Sequence, residues 1–169
     1  MSTPGVRLPA PMLFLASLLL AHALHRSGFA IHLSGDATME IVLRVLGQVV
    51  VGGALLVMGW AMLTFRRAQT AIMPHKAASR LVTSGPYRHS RNPMYVCLVA
   101  MQLGLCLIYN TPWPALLLPL VILLLQRRII LREERHLIDT FGQDYLDYCA
   151  RVGRWLRPWP RGDQRPLAN

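Results

Sequence analysis

From Ile41 to Phe65 the chain carries a single charge, Arg44, with Gln48 close by. About 20 consecutive apolar residues suffice for a helix to cross the hydrocarbon core of a bilayer, and this run exceeds that length. Three further apolar runs accompany it: Leu8 to Leu24, broken by Ser17 and His22; Met94 to Tyr109; and Thr111 to Leu131, with Gln126, Arg127 and Arg128 near its end. The first and third need flanking residues to reach a full span, and the fourth reaches it if its arginines extend to the headgroups. Charged residues make up 15% of the 169 positions, against about 25% in a typical soluble domain. That is too few to cover a water-soluble globule, and the hydrophobicity excludes intrinsic disorder. The expected fold is an all-α integral membrane protein of one domain, residues 1–169, with about four transmembrane helices at 8–25, 41–65, 93–109 and 111–131 and a C-terminal cytosolic or interfacial helix. Arg7, the first run and Ala21-His22-Ala23 also fit a cleaved secretory signal, a reading ranked second because the remaining runs already commit the chain to the membrane.

The net charge is +10, and its placement orients the chain. Six basic side chains lie between Arg66 and Arg91 (Arg66, Arg67, Lys76, Arg80, Arg88 and Arg91), and nine more lie from Arg127 onward. The turn from Asn110 to Pro114 has none, and the loop from His25 to Glu40 has only Arg26. The positive-inside rule then puts both termini, the middle loop and any active site on the cytosolic side. The basic excess is thus a topology signal, and no nucleic-acid partner is expected. Gly47, Gly52, Gly53 and Gly59 in the second run would let another helix approach closely, including one from a second copy. Cys97, Cys106 and Cys149 have neither the parity of a disulfide framework nor the spacing of a metal site. All three are expected to be small buried hydrophobes, and no metal is expected.

Polar residues concentrate on the two sides of the third and fourth runs. The first cluster, Leu81 to Tyr95, includes Gly85-Pro86-Tyr87-Arg88 and Arg91-Asn92-Pro93-Met94-Tyr95. Asn92 suits an N-cap and Pro93 the first helical position, so a helix starts there, with its N-terminus and Arg88 and Arg91 forming a seat for a carboxylate or phosphate. An arginine-flanked helix start is also ordinary in any membrane protein. The second cluster holds Arg132-Glu133-Glu134-Arg135 and Phe141-Gly142-Gln143-Asp144-Tyr145-Leu146-Asp147-Tyr148. Adjacent helical residues point about 100° apart, so one glutamate is expected to face the bundle and the other the solvent. A carboxylate turned into a membrane bundle is costly unless paired and is functional by default; the ordinary alternative is a solvated pair flanked by arginines. Gly142 reads as a helix stop, and Tyr145 and Tyr148 share a face with Phe141.

The pieces Leu-Val-Thr-Ser-Gly-Pro-Tyr-Arg, Arg-Asn-Pro-Met-Tyr, Glu-Glu, and Phe-Gly-x-x-Tyr-x-x-Tyr followed by Val152 occur in that order around a helical hairpin. From about Leu81 to Trp155 they resemble the integral-membrane methyltransferases that include isoprenylcysteine carboxyl methyltransferase and, more distantly, phospholipid N-methyltransferases. The resemblance implies S-adenosyl-L-methionine as cofactor, held by segments 79–95 and 128–155. Carried over, the cofactor-binding residues are Leu81, Val82, Tyr87, Asn92, Pro93, Tyr95, Glu133 and Glu134. The chemistry agrees. A carboxylate pairs with the cofactor's ammonium, tyrosine faces attract a sulfonium, and a helix N-terminus accepts a carboxylate.

Two departures from the family pattern stand out. Asn92 occupies a position that is His in the eukaryotic members. The family's substrate-side arginine, one turn before the binding glutamate, falls on Ile129 or Ile130, which leaves Arg128 and Arg132 as catalytic candidates, Arg128 foremost. This weakens a prenylcysteine carboxylate as acceptor more than methyl transfer itself.

The expected activity is therefore transfer of a methyl group from S-adenosylmethionine to a lipophilic acceptor (a carboxylate, amine or thiol) that enters from the bilayer. Positioning would supply much of the rate, and an arginine would orient an anionic acceptor. The alternative is a non-catalytic basic scaffold that binds anionic lipid or a protein partner through the tail Arg151 to Arg165. A transporter is disfavoured, since there are no repeated broken helices.

Overall fold

The computed structural model describes residues 9–68 and 81–156. Leu8 of the first expected span, positions 79–80 of the first cofactor segment, and the basic tail from 157 onward lie outside the described residues. Those described form helices and loops with no strand.

Helix α1, Ala10–Arg26, starts behind Pro9 with Pro11 in its first turn, where the missing N–H costs nothing. It ends just before Gly28, at φ +92°. Helix α2, Ala37–Arg67, starts earlier than its apolar run because the Asp36 carboxylate accepts from the Met39 N–H at 2.8 Å, an N-cap in the polar residues ahead of the run. A short 3₁₀ turn, Gly85–Arg88, precedes helix α3, Pro93–Ile108. Asn110 turns the chain at φ +50°, a conformation Asn tolerates better than most residues.

The last helical stretch departs from expectation. Helix α4, Trp113–Leu125, does not stop near Leu131. It passes through a π turn, Gln126–Ile130, into helix α5, Leu131–Phe141, so that one continuous helix runs Trp113–Phe141. Gly142, at φ +53°, ends it, and helix α6, Gln143–Arg151, follows. The π turn resets the buried stripe. Leu118, Val121, Leu125 and Ile129 follow α-helical spacing; Ile130 is buried as well, and Glu134 continues from it one turn later. A π turn adds one residue to the helix and so carries Glu134 onto the inner face.

Helix α2 packs on α3, and α4 packs on both α1 and α3. Ala10 and Phe14 of α1 meet Leu118, Val121, Leu125, Ile129 and Ile130 in the principal core. In mid-bundle the buried Gln102 amide donates to Pro114 O at 2.8 Å and accepts from Ser17 Oγ at 3.0 Å, which offsets the cost of burying it. Of the four glycines of α2, Gly47 alone meets another helix among the described residues: a Cβ there would lie 2.5 Å from Gly104 O, while no other segment of those residues comes within 4 Å of a Cβ at Gly52, Gly53 or Gly59. The outer side of α2 is apolar and bare, with Leu56 78% exposed beside Ile41, Val49 and Leu63, a surface that suits acyl chains rather than water.

Among the described residues two helices, Ala37–Arg67 and Trp113–Phe141, are long and apolar enough to cross a membrane. Helices α1 and α3, of 17 and 16 residues, rise only about 24–26 Å at 1.5 Å per residue. The α1–α2 loop meets the α3–α4 turn at one end of the bundle, where Trp113 Nε1 donates to Phe29 O at 2.8 Å. The Leu81–Tyr95 and Glu133–Trp155 segments meet at the other.

Candidate active site

At that second end, three stretches distant in sequence converge. The first is the approach to α3. Asn92 occupies the N-cap position, and its carbonyl accepts from Tyr95 N at 3.0 Å and Val96 N at 3.1 Å. Its side chain does not cap the helix; the amide Nδ2 instead donates to Arg154 O at 3.1 Å. Ser90 Oγ donates to the same carbonyl at 3.2 Å, and Arg91 N donates to Gly153 O at 2.9 Å. The turn 90–92 is therefore stitched to the strap that follows α6. The buried Pro93 starts α3 with its ring set for the first turn, which places Tyr95 on the inner side of the helix.

The second stretch is α5. Contrary to expectation, neither glutamate is among the exposed residues. Glu133 is half-buried and receives the Tyr95 hydroxyl, 2.9 Å from Oε1 and 3.0 Å from Oε2. Glu134 is buried and holds two guanidiniums: Arg91 Nη1 lies 3.0 Å from Oε1, Arg154 Nη2 lies 2.6 Å from Oε2, and Arg154 Nε donates to Oε1 at 2.9 Å. The Arg154 contact is a two-toothed fork, the strongest form of this pairing. Hydrogen bonding to Glu134 raises the Arg154 pKa above its ordinary value, with burial opposing.

The third stretch is α6 with its strap. Tyr145 and Tyr148 are both buried, their rings 6.1 Å apart. Tyr148 donates its hydroxyl to Tyr87 O at 2.6 Å. Burial pushes the phenols of Tyr87, Tyr145 and Tyr148 well above the ordinary tyrosine range. Cys149 is half-buried rather than buried, unlike Cys97 and Cys106, and its sulfur lies 2.7 Å from Arg91 Nη1.

The expected site residues divide accordingly. Tyr95 and Glu133 form a direct pair. Asn92 and Glu134 are joined through Arg154. Val82 and Tyr87 are buried against Ala61 near the end of α2, the Tyr87 ring lying 5.0 Å from Phe65 at 66°, and Leu81 beside them is half-buried. Arg128 and Arg132, four residues apart, are exposed. The expected anion seat of Arg88 and Arg91 takes another form: Arg88 is exposed, while Arg91 is spent on Glu134 and Cys149. Arg154 and the Tyr148–Tyr87 bond escaped sequence reading, because nothing in the spacing of a helix-exit arginine tells which carboxylate it will meet.

A family model for phospholipid methyltransferase matches residues 42–144, more than half of the chain. The chain belongs to this family of methyltransferases. No curated protein and no solved structure matches it. The matched region contains Tyr87, Asn92, Tyr95, Glu133 and Glu134 and ends before Tyr145, Tyr148 and Arg154.

Proposed function

We propose that the chain is an S-adenosylmethionine-dependent methyltransferase whose acceptor is a lipophilic molecule embedded in the membrane, and that Tyr95 and Glu133 are the centre of the cofactor seat. The observation that carries this reading is their hydrogen bond, which joins the Arg-Asn-Pro-Met-Tyr element to the Glu-Glu pair at one end of the bundle. The donor set fits the cofactor. A half-buried carboxylate beside a phenol suits an ammonium group, and the ring face of a tyrosine suits a sulfonium. When bound, the cofactor supplies an electrophilic methyl on a good leaving group.

The chain's own residues bind and orient. Glu133 takes the ammonium, Tyr95 holds that carboxylate in place, and Leu81, Val82 and Tyr87 offer apolar and aromatic surface on the α2 side. Asn92 and Pro93 set the start of α3. Buried Tyr145 and Tyr148 on α6 exclude water from the same end. Arg128 and Arg132, exposed beside the bilayer surface, meet an anionic portion of the acceptor. Four helices cross the membrane with both termini and the site on the cytosolic side, and the bare outer face of α2 contacts lipid or a second copy.

The test is methyl-group fate. Membranes containing the protein are incubated with methyl-labelled S-adenosylmethionine, then separated into lipid, protein and volatile fractions, with a Tyr95→Phe/Glu133→Gln variant as control. Label confined to one fraction and dependent on the intact pair is expected. Folded protein that neither transfers label nor binds S-adenosylhomocysteine overturns the reading and leaves a scaffold in its place.

A further inference from the structure

Arg154 lies outside the family match and before the end of the described chain, and it touches both walls of the proposed cofactor seat. Its guanidinium forks onto Glu134, the residue next to Glu133. Its carbonyl oxygen accepts from Ser90 Oγ and Asn92 Nδ2, three to five residues before Tyr95. One residue thus fixes the rotation of α5 and the start of α3 together. Arg91 repeats the link from the other side, with its N–H on Gly153 O and its Nη1 on Glu134.

We propose that Arg154 is a positioning residue for the methyl-transfer site: by gripping Glu134 with its side chain and the Ser90–Asn92 turn with its carbonyl, it holds Glu133 opposite Tyr95. The inference rests on the reading that Tyr95 and Glu133 seat the cofactor. It assigns Glu134 a task distinct from that of its neighbour. Three guanidinium N–H contacts already fall on the Glu134 carboxylate, from Arg91 and Arg154, whereas Glu133 receives the Tyr95 hydroxyl, so Glu134 orients while Glu133 binds. Both glutamates are in reach of these partners because the π turn puts Glu134 on the buried stripe, and Glu133 then falls on the side of α3.

The test uses the full chain in detergent and measures affinity for S-adenosylhomocysteine by calorimetry, with a thermal melt for each variant. Arg154→Met is expected to weaken binding at least tenfold. Arg154→Lys keeps the charge but not the fork and is expected to lose about threefold while melting close to wild type. Glu134→Gln should match Arg154→Met, and the double variant should bind no more weakly than Glu134→Gln alone, because the two residues act through one contact. Cys149 gives a readout independent of the cofactor. Loosening the strap should speed its alkylation by N-ethylmaleimide severalfold in Arg154→Met. Should Arg154→Met fail to fold, Arg154→Lys decides. Variants that fold, bind like wild type and leave Cys149 alkylation unchanged overturn the inference while the cofactor reading stands. Wild-type protein that binds no S-adenosylhomocysteine overturns the cofactor reading, and the positioning role with it.

Discussion

The two ends of the bundle both gather polar groups, and they do so by opposite means. At the turn end, Asn110 serves the facing loop: its Oδ1 accepts from Leu33 N at 3.1 Å and Ser34 N at 3.0 Å, and its Nδ2 donates to Ser34 O at 2.7 Å and to Glu40 Oε1 at 3.2 Å. These partners are chiefly backbone groups, and the amide that joins them is neutral. At the other end, neighbouring carboxylates, two guanidiniums and three buried tyrosines come from segments up to 64 residues apart. A loop closes adequately with an amide and backbone. Assembling charge from remote segments carries a desolvation cost that a neutral amide avoids, and it is at this end that the cofactor seat is proposed.

Breaking that charged assembly should give the largest effect. Glu134→Ala leaves Arg91 and Arg154 facing a buried hole, and removing one partner of a buried pair costs about 3–5 kcal/mol; a thermal melt in detergent should show the loss directly. Glu133→Gln should separate binding from stability. Affinity for S-adenosylhomocysteine should fall about 100-fold, on the order of 3 kcal/mol, with the melting temperature nearly unchanged. Next in size is Gly47→Ala. The new Cβ would lie 2.5 Å from Gly104 O, and forcing α2 from α3 should cost about 2 kcal/mol. Asn110→Ala strips the turn end of its amide and puts Ala at positive φ; about 1–2 kcal/mol of stability should go, with cofactor affinity unaltered. Gly53→Ala, with nothing within 4 Å, should cost no stability and can add up to about 1 kcal/mol through helix propensity. If Asn110→Ala weakened cofactor binding as much as Glu133→Gln, the contrast between the two ends would fail.

The helices were legible because hydrophobic runs and prolines mark them locally: Pro93 and Gly142 stand where the chain starts α3 and ends α5. Tyr95 and the glutamate pair were legible as a group because family-like words surround them. Three features were not. The π turn at Gln126–Ile130 has no sequence signature in Gln-Arg-Arg-Ile-Ile, yet it decides which way Glu133 and Glu134 point. Asn92 follows an N-cap pattern, yet its side chain leaves the helix uncapped and its amide donates to Arg154 O, 62 residues away. The glycines of α2 read alike in sequence, and only the crossing with Gly104 separates Gly47 from Gly53. The last two depend on contacts between segments, which local pattern does not encode.

The most direct test is calorimetric titration of S-adenosylmethionine into the purified protein in detergent, repeated with the Tyr95→Phe/Glu133→Gln variant. Saturable binding of one equivalent that disappears in the folded variant is the predicted result. A folded wild-type protein that gives no binding heat, or a variant that binds as tightly as wild type, would contradict the assignment of the Tyr95–Glu133 pair as the cofactor seat.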